Sequence, residues 1–178
     1  MKPFAAALLV LVAACGQGRA IFNVDVLSFL SASDSLKRYS VLGGTPQADS
    51  TIARRFFLPP GFGKSSVDSV SASASVSVID TSGSGSVRFD IFFAKTQLGL
   101  FTGTPYLTAN SGALAAPPPD SVRLLPPTTI SIADTVFNSD TVWVGIRARI
   151  TTNIGPNMAG RLRLNSLNLR IVIQDKIL

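Results

Sequence analysis

The chain has 178 residues, a length that fits one domain, and carries 16 Lys and Arg against 10 acids, all of them Asp, for a net charge of +6. Glu and His are both absent, which removes the most versatile acid–base residues and the commonest neutral metal ligand and argues against an enzyme or a metal or cofactor protein. A single cysteine excludes an internal disulfide, so the fold must hold by packing, and the basic excess suits anionic partners without choosing among them.

The first element is an export signal. Lys2 supplies a positive start, and Phe4 to Ala14 is an apolar run of eleven residues, too short for a mature spanning helix of about twenty. It ends in Val12, Ala13, Ala14 and Cys15, which resembles the lipobox of bacterial lipoprotein precursors. The resemblance implies cleavage before Cys15, acylation of Cys15 by palmitate-like chains, and a membrane-held envelope protein. Gly16, rather than Asp, after the cysteine implies the outer membrane where the host has two membranes. Each buried methylene adds about 0.8 kcal/mol, so two or three chains anchor stably where one is marginal. The residues alone also fit an ordinary secretory signal with an incidental cysteine. The expected organisation is a signal peptide over residues 1–14, a lipidated tether over 15–20, and a single domain over 21–178.

From Ile21 onward the apolar period is two, bounded by Gly, Pro, Asp and Ser clusters, the pattern of strands with one buried face. Expected strands are Ile21 to Leu30, Leu36 to Leu42, Thr51 to Leu58, Val70 to Ile79, Val87 to Phe93, Leu98 to Thr108, Thr128 to Ile132, Thr141 to Thr152 and Arg161 to Gln174. Strands at this spacing without crossover helices indicate an all-β, antiparallel β-sandwich, jelly-roll or Ig-like, of about eight to ten strands. In Val70 to Ile79 the even positions are apolar and Ser71, Ser73, Ser75 and Ser77 take the other face. A flexible loop over Asp80 to Ser86 is expected to close a hairpin onto Val87 to Phe93. Pro117 to Pro127 belongs on a rim or sheet edge, because proline offers no ladder N–H. Asp68, Asp120, Asp134 and Asp140, each opening an Asp-Ser-Val or Asp-Thr-Val triplet, read as turn formers.

Sites of known chemistry do not assemble. Gly63-Lys64-Ser65 lacks the upstream glycine of a phosphate loop, whose place is held by Leu58. A nucleophilic serine elbow and its histidine are missing, and no run offers the alternating oxygen ligands of a calcium loop. The serine ladder is a solvated face or, because small side chains guard an exposed strand poorly, a route to self-association.

The last two strands carry the most informative pattern. Val142, Val144, Ile146, Ala148 and Ile150 share the core parity, leaving Trp143, Arg147 and Arg149 outward. Further on, Leu162 and Leu164 face inward on even numbers but Leu167, Leu169, Ile171 and Ile173 on odd ones, which demands a β-bulge near Asn165 and Ser166. Folded as a hairpin over Asn153 to Met158, these strands place Arg149 opposite Arg163 and Trp143 opposite Arg170 as a cation–π pair. Arg147 and Arg161 complete one candidate binding face, with water, an aspartate from a neighbouring strand or an anionic partner offsetting its like charges. The expected function is a lipid-anchored, non-catalytic envelope module that recognises a glycan, an anionic envelope component or a protein, with nucleic acid not expected. The alternative is a self-assembling surface-layer or fibre subunit.

Overall fold

The computed structural model describes residues 18–58, 66–115, 120–124, 127–130 and 135–175. Cys15 with its signal segment, the Gly63-Lys64-Ser65 run and Asp134 lie outside the described residues. Eleven strands are described: β1 (Gly18–Asp25), β2 (Leu36–Val41), β3 (Ala48–Phe57), β4 (Ser66–Ser82), β5 (Ser84–Ala94), β6 (Leu107–Asn110), β7 (Leu114–Ala115), β8 (Asp120–Leu124), β9 (Pro127–Ile130), β10 (Thr141–Thr152) and β11 (Met158–Asp175). They form two antiparallel sheets, one of six strands ordered β1-β11-β4-β8 with β2 on β11 and β9 on β4, and one of five ordered β3-β10-β5-β6 with β7 on β5. The chain is thus an all-β sandwich.

The alternating parity read from the sequence is the parity of burial. Val70, Ala72, Ala74, Val76 and Val78 of β4 and Leu162, Leu164, Leu167, Leu169 and Ile171 of β11 meet Val87, Phe89, Ile91 and Phe93 of β5 and Val142, Val144, Ile146, Ala148 and Ile150 of β10 in one buried core. The change of parity in β11 coincides with a register shift between Leu164 and Ser166, where Asn165 is the extra residue. Its amide nitrogen donates to the Ser77 hydroxyl at 2.7 Å and reaches Ser75 at 3.5 Å, so the small serines leave room for the bulged side chain.

Both expected hairpins are corrected. β4 and β5 belong to different sheets, joined through Gly83 at φ +78°, and most of the expected flexible loop is strand. β10 and β11 are likewise in different sheets. An alternating run fixes which side chains are buried but not which sheet the strand joins, since a hairpin and an inter-sheet arch bury the same parity. Three such arches meet at one end: Leu42 to Gln47, Gly83, and Asn153 to Asn157. They are tied together by Gly44 N–H to Asn153 O at 2.8 Å, Asn153 N–H to Ser84 O at 2.9 Å and the Ser82 hydroxyl to Asn157 O at 3.0 Å.

Other expectations shift. β1 begins at Gly18, inside the segment expected as tether, and pairs Gly18 with Asp175. Of Leu98 to Thr108 only Leu107 and Thr108 are strand, as the start of β6; Leu98 is 94% exposed, and Leu100 and Phe101 fold back over the outside of the five-stranded sheet at Gly145, where a Cβ would lie 2.7 Å from the Leu100 side chain. Of the aspartates expected at turns, Asp68 and Asp120 lie within strands, while Asp140 precedes β10 and accepts Leu58 N–H at 2.8 Å. β8 and β9, from the proline-rich stretch, do form the sheet edge beside β4, so β4 is flanked on both sides and its serine ladder is no free edge.

The open side of the sandwich is bridged by a 3₁₀ turn (Val26–Phe29) and a short helix α1 (Ala32–Ser35). Ser31 caps α1 in a reciprocal box with Asp34. The same carboxylate then takes a two-pronged grip from Arg54 of β3, Nε to Oδ2 at 2.9 Å and Nη2 to Oδ1 at 2.8 Å, which links the two sheets. Burial, the largest influence on Asp34, pushes its carboxyl up, but the bonds from Ser31 and Arg54 outweigh it and hold it below the usual range.

Candidate functional site

Because β10 and β11 separate, the expected single face divides into two. Trp143, Arg147 and Arg149 lie on the outside of the five-stranded sheet, and Arg161, Arg163 and Arg170 on the outside of the six-stranded one. Arg149 is paired with Asp49 and Arg88 instead of Arg163, and Trp143 with Arg55 and Ala94 instead of Arg170. Half-buried Trp143 is therefore an outer-face residue without its expected arginine partner.

On the five-stranded sheet the arginines converge on Asp90, which β5 places directly opposite Arg147. Asp90 is 0% exposed. Its Oδ1 accepts Arg88 Nε and the Thr108 hydroxyl, both at 2.9 Å, and its Oδ2 meets Arg149 Nη2 at 3.3 Å and Arg147 Nη2 at 3.4 Å. The Arg147 guanidinium also lies over the Phe92 ring, 4.7 Å from its centroid, and only 14% of its side chain is exposed. Burial alone would raise the Asp90 carboxyl, but hydrogen bonds from Arg88 and Thr108 and the charges of Arg88 and Arg149 hold it below the usual carboxylate range. Here the compensation expected for facing arginines is an aspartate from the neighbouring strand. Nε of Arg147 and of Arg149 is buried and finds no partner among the described residues, as the geometry of three guanidiniums on one carboxylate entails.

The other half is built differently. Arg161 of β11 stands directly opposite Arg38 of β2, with Ile79 of β4 on its other side, and Arg163 is two residues on, between Leu36 and Ser77. All three arginines are exposed, and none has an ion pair among the described residues. Residues two apart on one strand face are spaced by roughly 6.6 Å and cross-strand neighbours by roughly 5 Å, so three guanidiniums sit within reach of one small anion. Beside them the extra residue Thr81 of a second register shift opens a groove of about 430 Å³ along Arg38, Ser40, Ala159 and Arg161. Its floor is backbone, because a Cβ on Gly160 would strike the Ile79 carbonyl at 2.1 Å. Beneath it Tyr39 donates to Asp80 at 3.2 Å, and burial together with that carboxylate pushes the Tyr39 hydroxyl well above its usual pKa. Arg170 lies roughly 23 Å further along β11, between Asn23 and Ser71, and does not join this group.

Arg38, Ser40 and Thr81 were missed by sequence reasoning, and only the Lys37-Arg38 pair hinted at them. A second opening, at α1 between the sheets, has room for about one water (about 20 Å³) and is no ligand pocket.

No protein-family model and no curated protein matches the chain. Among solved structures, it is similar to a chain of infectious bursal disease virus, Gx strain, at 11% identity and a TM-score of 0.48, covering 92% of this chain and 39% of that one. PirA is similar at 11% identity and a TM-score of 0.37 over 76% of this chain and 97% of its own. A winged bean acidic lectin, solved with methyl-α-D-galactose, is similar at 13% identity and a TM-score of 0.34, covering 89% of this chain and all of the lectin. The chain spans about two fifths of the viral protein.

Proposed function

We propose that this protein is a non-catalytic binding module that recognises an anionic envelope component through Arg38, Arg161 and Arg163, and that lipid on Cys15 holds it at a membrane. The observation that carries the reading is the direct cross-strand pairing of Arg38 with Arg161, both exposed and with no ion-pair partner among the described residues. Like charges facing each other on a sheet are unfavourable, and a bound phosphate, sulfate or carboxylate turns that cost into binding energy. Arg147 and Arg149, by contrast, are occupied by Asp90 and serve the fold. The absence of His and Glu supports a role in binding rather than turnover.

The test uses polyphosphate as the probe. Arg161→Ser with Arg163→Ser is expected to weaken binding by about tenfold or more, each guanidinium contributing on the order of 1 kcal/mol. Arg147→Ser with Arg149→Ser is expected to lower the melting temperature and leave affinity nearly unchanged. The opposite pattern would move the site to the five-stranded sheet; polyphosphate binding untouched by either pair would end the proposal. Acylation is checked separately, by mass spectrometry of the protein from a lipoprotein-processing host with and without Cys15→Ser.

A further inference from the structure

We infer that the three-arch end is a docking tip for a lipid bilayer with anionic headgroups, with Leu42 and Ile154 entering the apolar layer and Arg38, Arg161 and Arg163 contacting the headgroups. The inference rests on the anion-binding reading above and adds the chemistry of the partner. Leu42 is 70% exposed and Ile154 96%, each on an arch, and Ile154 stands beside Gly44 of the other arch, its Cγ1 3.6 Å from where a Gly44 Cβ would sit.

A single exposed aliphatic residue means little. This pair is held on a rigid frame. The buried Thr152 donates its hydroxyl to Leu42 O at 2.7 Å and accepts Thr45 N–H at 2.8 Å, while its own N–H donates to Thr45 O at 3.0 Å. Gly43 N–H reaches the Asn157 side chain at 3.3 Å, and its backbone approaches Gly155 so closely that a Cβ would lie 2.0 Å from the Gly155 oxygen. Loops tied this densely lose little entropy on docking, which favours a surface contact that a floppy loop would have to order first.

The spacing fits a membrane surface. Leu42 opens the arch that follows β2, four residues beyond Arg38 and roughly 13 Å from it at 3.3 Å per residue. Apolar groups of interfacial segments sit about 5–10 Å below the headgroup boundary, so with the tip at that depth Arg38 and Arg161 lie at phosphate level, within the reach of a flexible side chain. Leu36 and Ile79, also exposed, are the cross-strand neighbours of Arg163 and Arg161, so the arginines are interleaved with aliphatic surface. A soluble polyanion would satisfy the arginines but leave this apolar surface in water.

The experiment uses the full chain with Cys15→Ser, which removes the only cysteine, and Ile154→Cys carrying an environment-sensitive fluorophore. The probes are vesicles of phosphatidylcholine alone, equal parts of phosphatidylcholine and phosphatidylglycerol, and soluble polyphosphate. Only the phosphatidylglycerol vesicles should shift the emission to the blue, and the same label at Leu98→Cys should not respond. Arg38→Ser with Arg161→Ser should weaken vesicle binding by about 30-fold, at roughly 1 kcal/mol per arginine near an anionic surface. Leu42→Ser should weaken vesicle binding and spare polyphosphate. An unshifted label on protein that cosediments with the vesicles, or polyphosphate binding without vesicle binding, overturns the docking tip and leaves the anion reading standing. Failure to bind either probe removes both.

Discussion

Asp90 shows at the scale of one residue how a charge becomes part of a fold. A carboxylate with no exposed surface is tolerable only when its oxygens are filled, and Arg88, Thr108, Arg147 and Arg149 fill them. Asp90→Asn removes the charge and leaves three guanidiniums crowded together, with an expected loss of about 2 kcal/mol or more at neutral pH by urea unfolding. The native carboxyl is held below its unfolded value of about 3.9, so between the two the unfolded chain binds more protons and stability rises with pH. The contribution is present above the unfolded value and is lost as pH falls through the native one, so the difference between Asp90→Asn and the parent should shrink below about pH 4. An unchanged difference at pH 7 and pH 3 would mean that the site does not act through charge. The outward placement of Arg147 and Arg149 is legible in alternation, and so is the need for compensation. That Asp90 supplies it is not, because its position follows from the register of β5 on β10.

Among the elements, β11 was the most legible and the arches the least. A strand that changes parity without losing its apolar residues has one solution, an extra residue, and Asn165 is that residue. The arches carry the same local signals as hairpins, including Gly83 in a Ser-Gly-Ser turn, and differ only in which neighbour the next strand meets. Gly83 is committed to its arch twice, by φ +78° and by the Asn157 carbonyl 2.7 Å from where a Cβ would stand. Gly112 has a similar φ of +71° but open space around it. Gly83→Ala should therefore destabilise by more than about 1 kcal/mol and by clearly more than Gly112→Ala, as measured by denaturant midpoints. Equal costs would show that the arch contact adds nothing beyond backbone strain.

For the whole molecule, the edges and the two ends matter most. The β3 edge carries Asp49, Arg54 and Arg55, and Pro127 opens β9 at the far edge of the other sheet, both features that discourage strand addition. Light scattering over a rising concentration series should report a monomer for Cys15→Ser protein; growth of large species without ligand would favour the self-assembling alternative. Along β11 the first residue, Met158, pairs with Val41 beside the arches, and the last, Asp175, pairs with Gly18 roughly 55 Å away at about 3.3 Å per residue. Gly18, the first described residue, therefore stands at the end of the sandwich opposite the arginine groove. Alternation by itself determined the strand class, the buried faces and the bulge, because side-chain direction in a strand is a local property with a period of two. Which strands share a sheet was decided only by tertiary structure, because strand partnership is set by contacts between residues far apart in the chain; of the six residues expected on one face, it sends Arg147 and Arg149 to Asp90, Arg161 and Arg163 to the arginine group beside Arg38, and leaves Trp143 and Arg170 in neither.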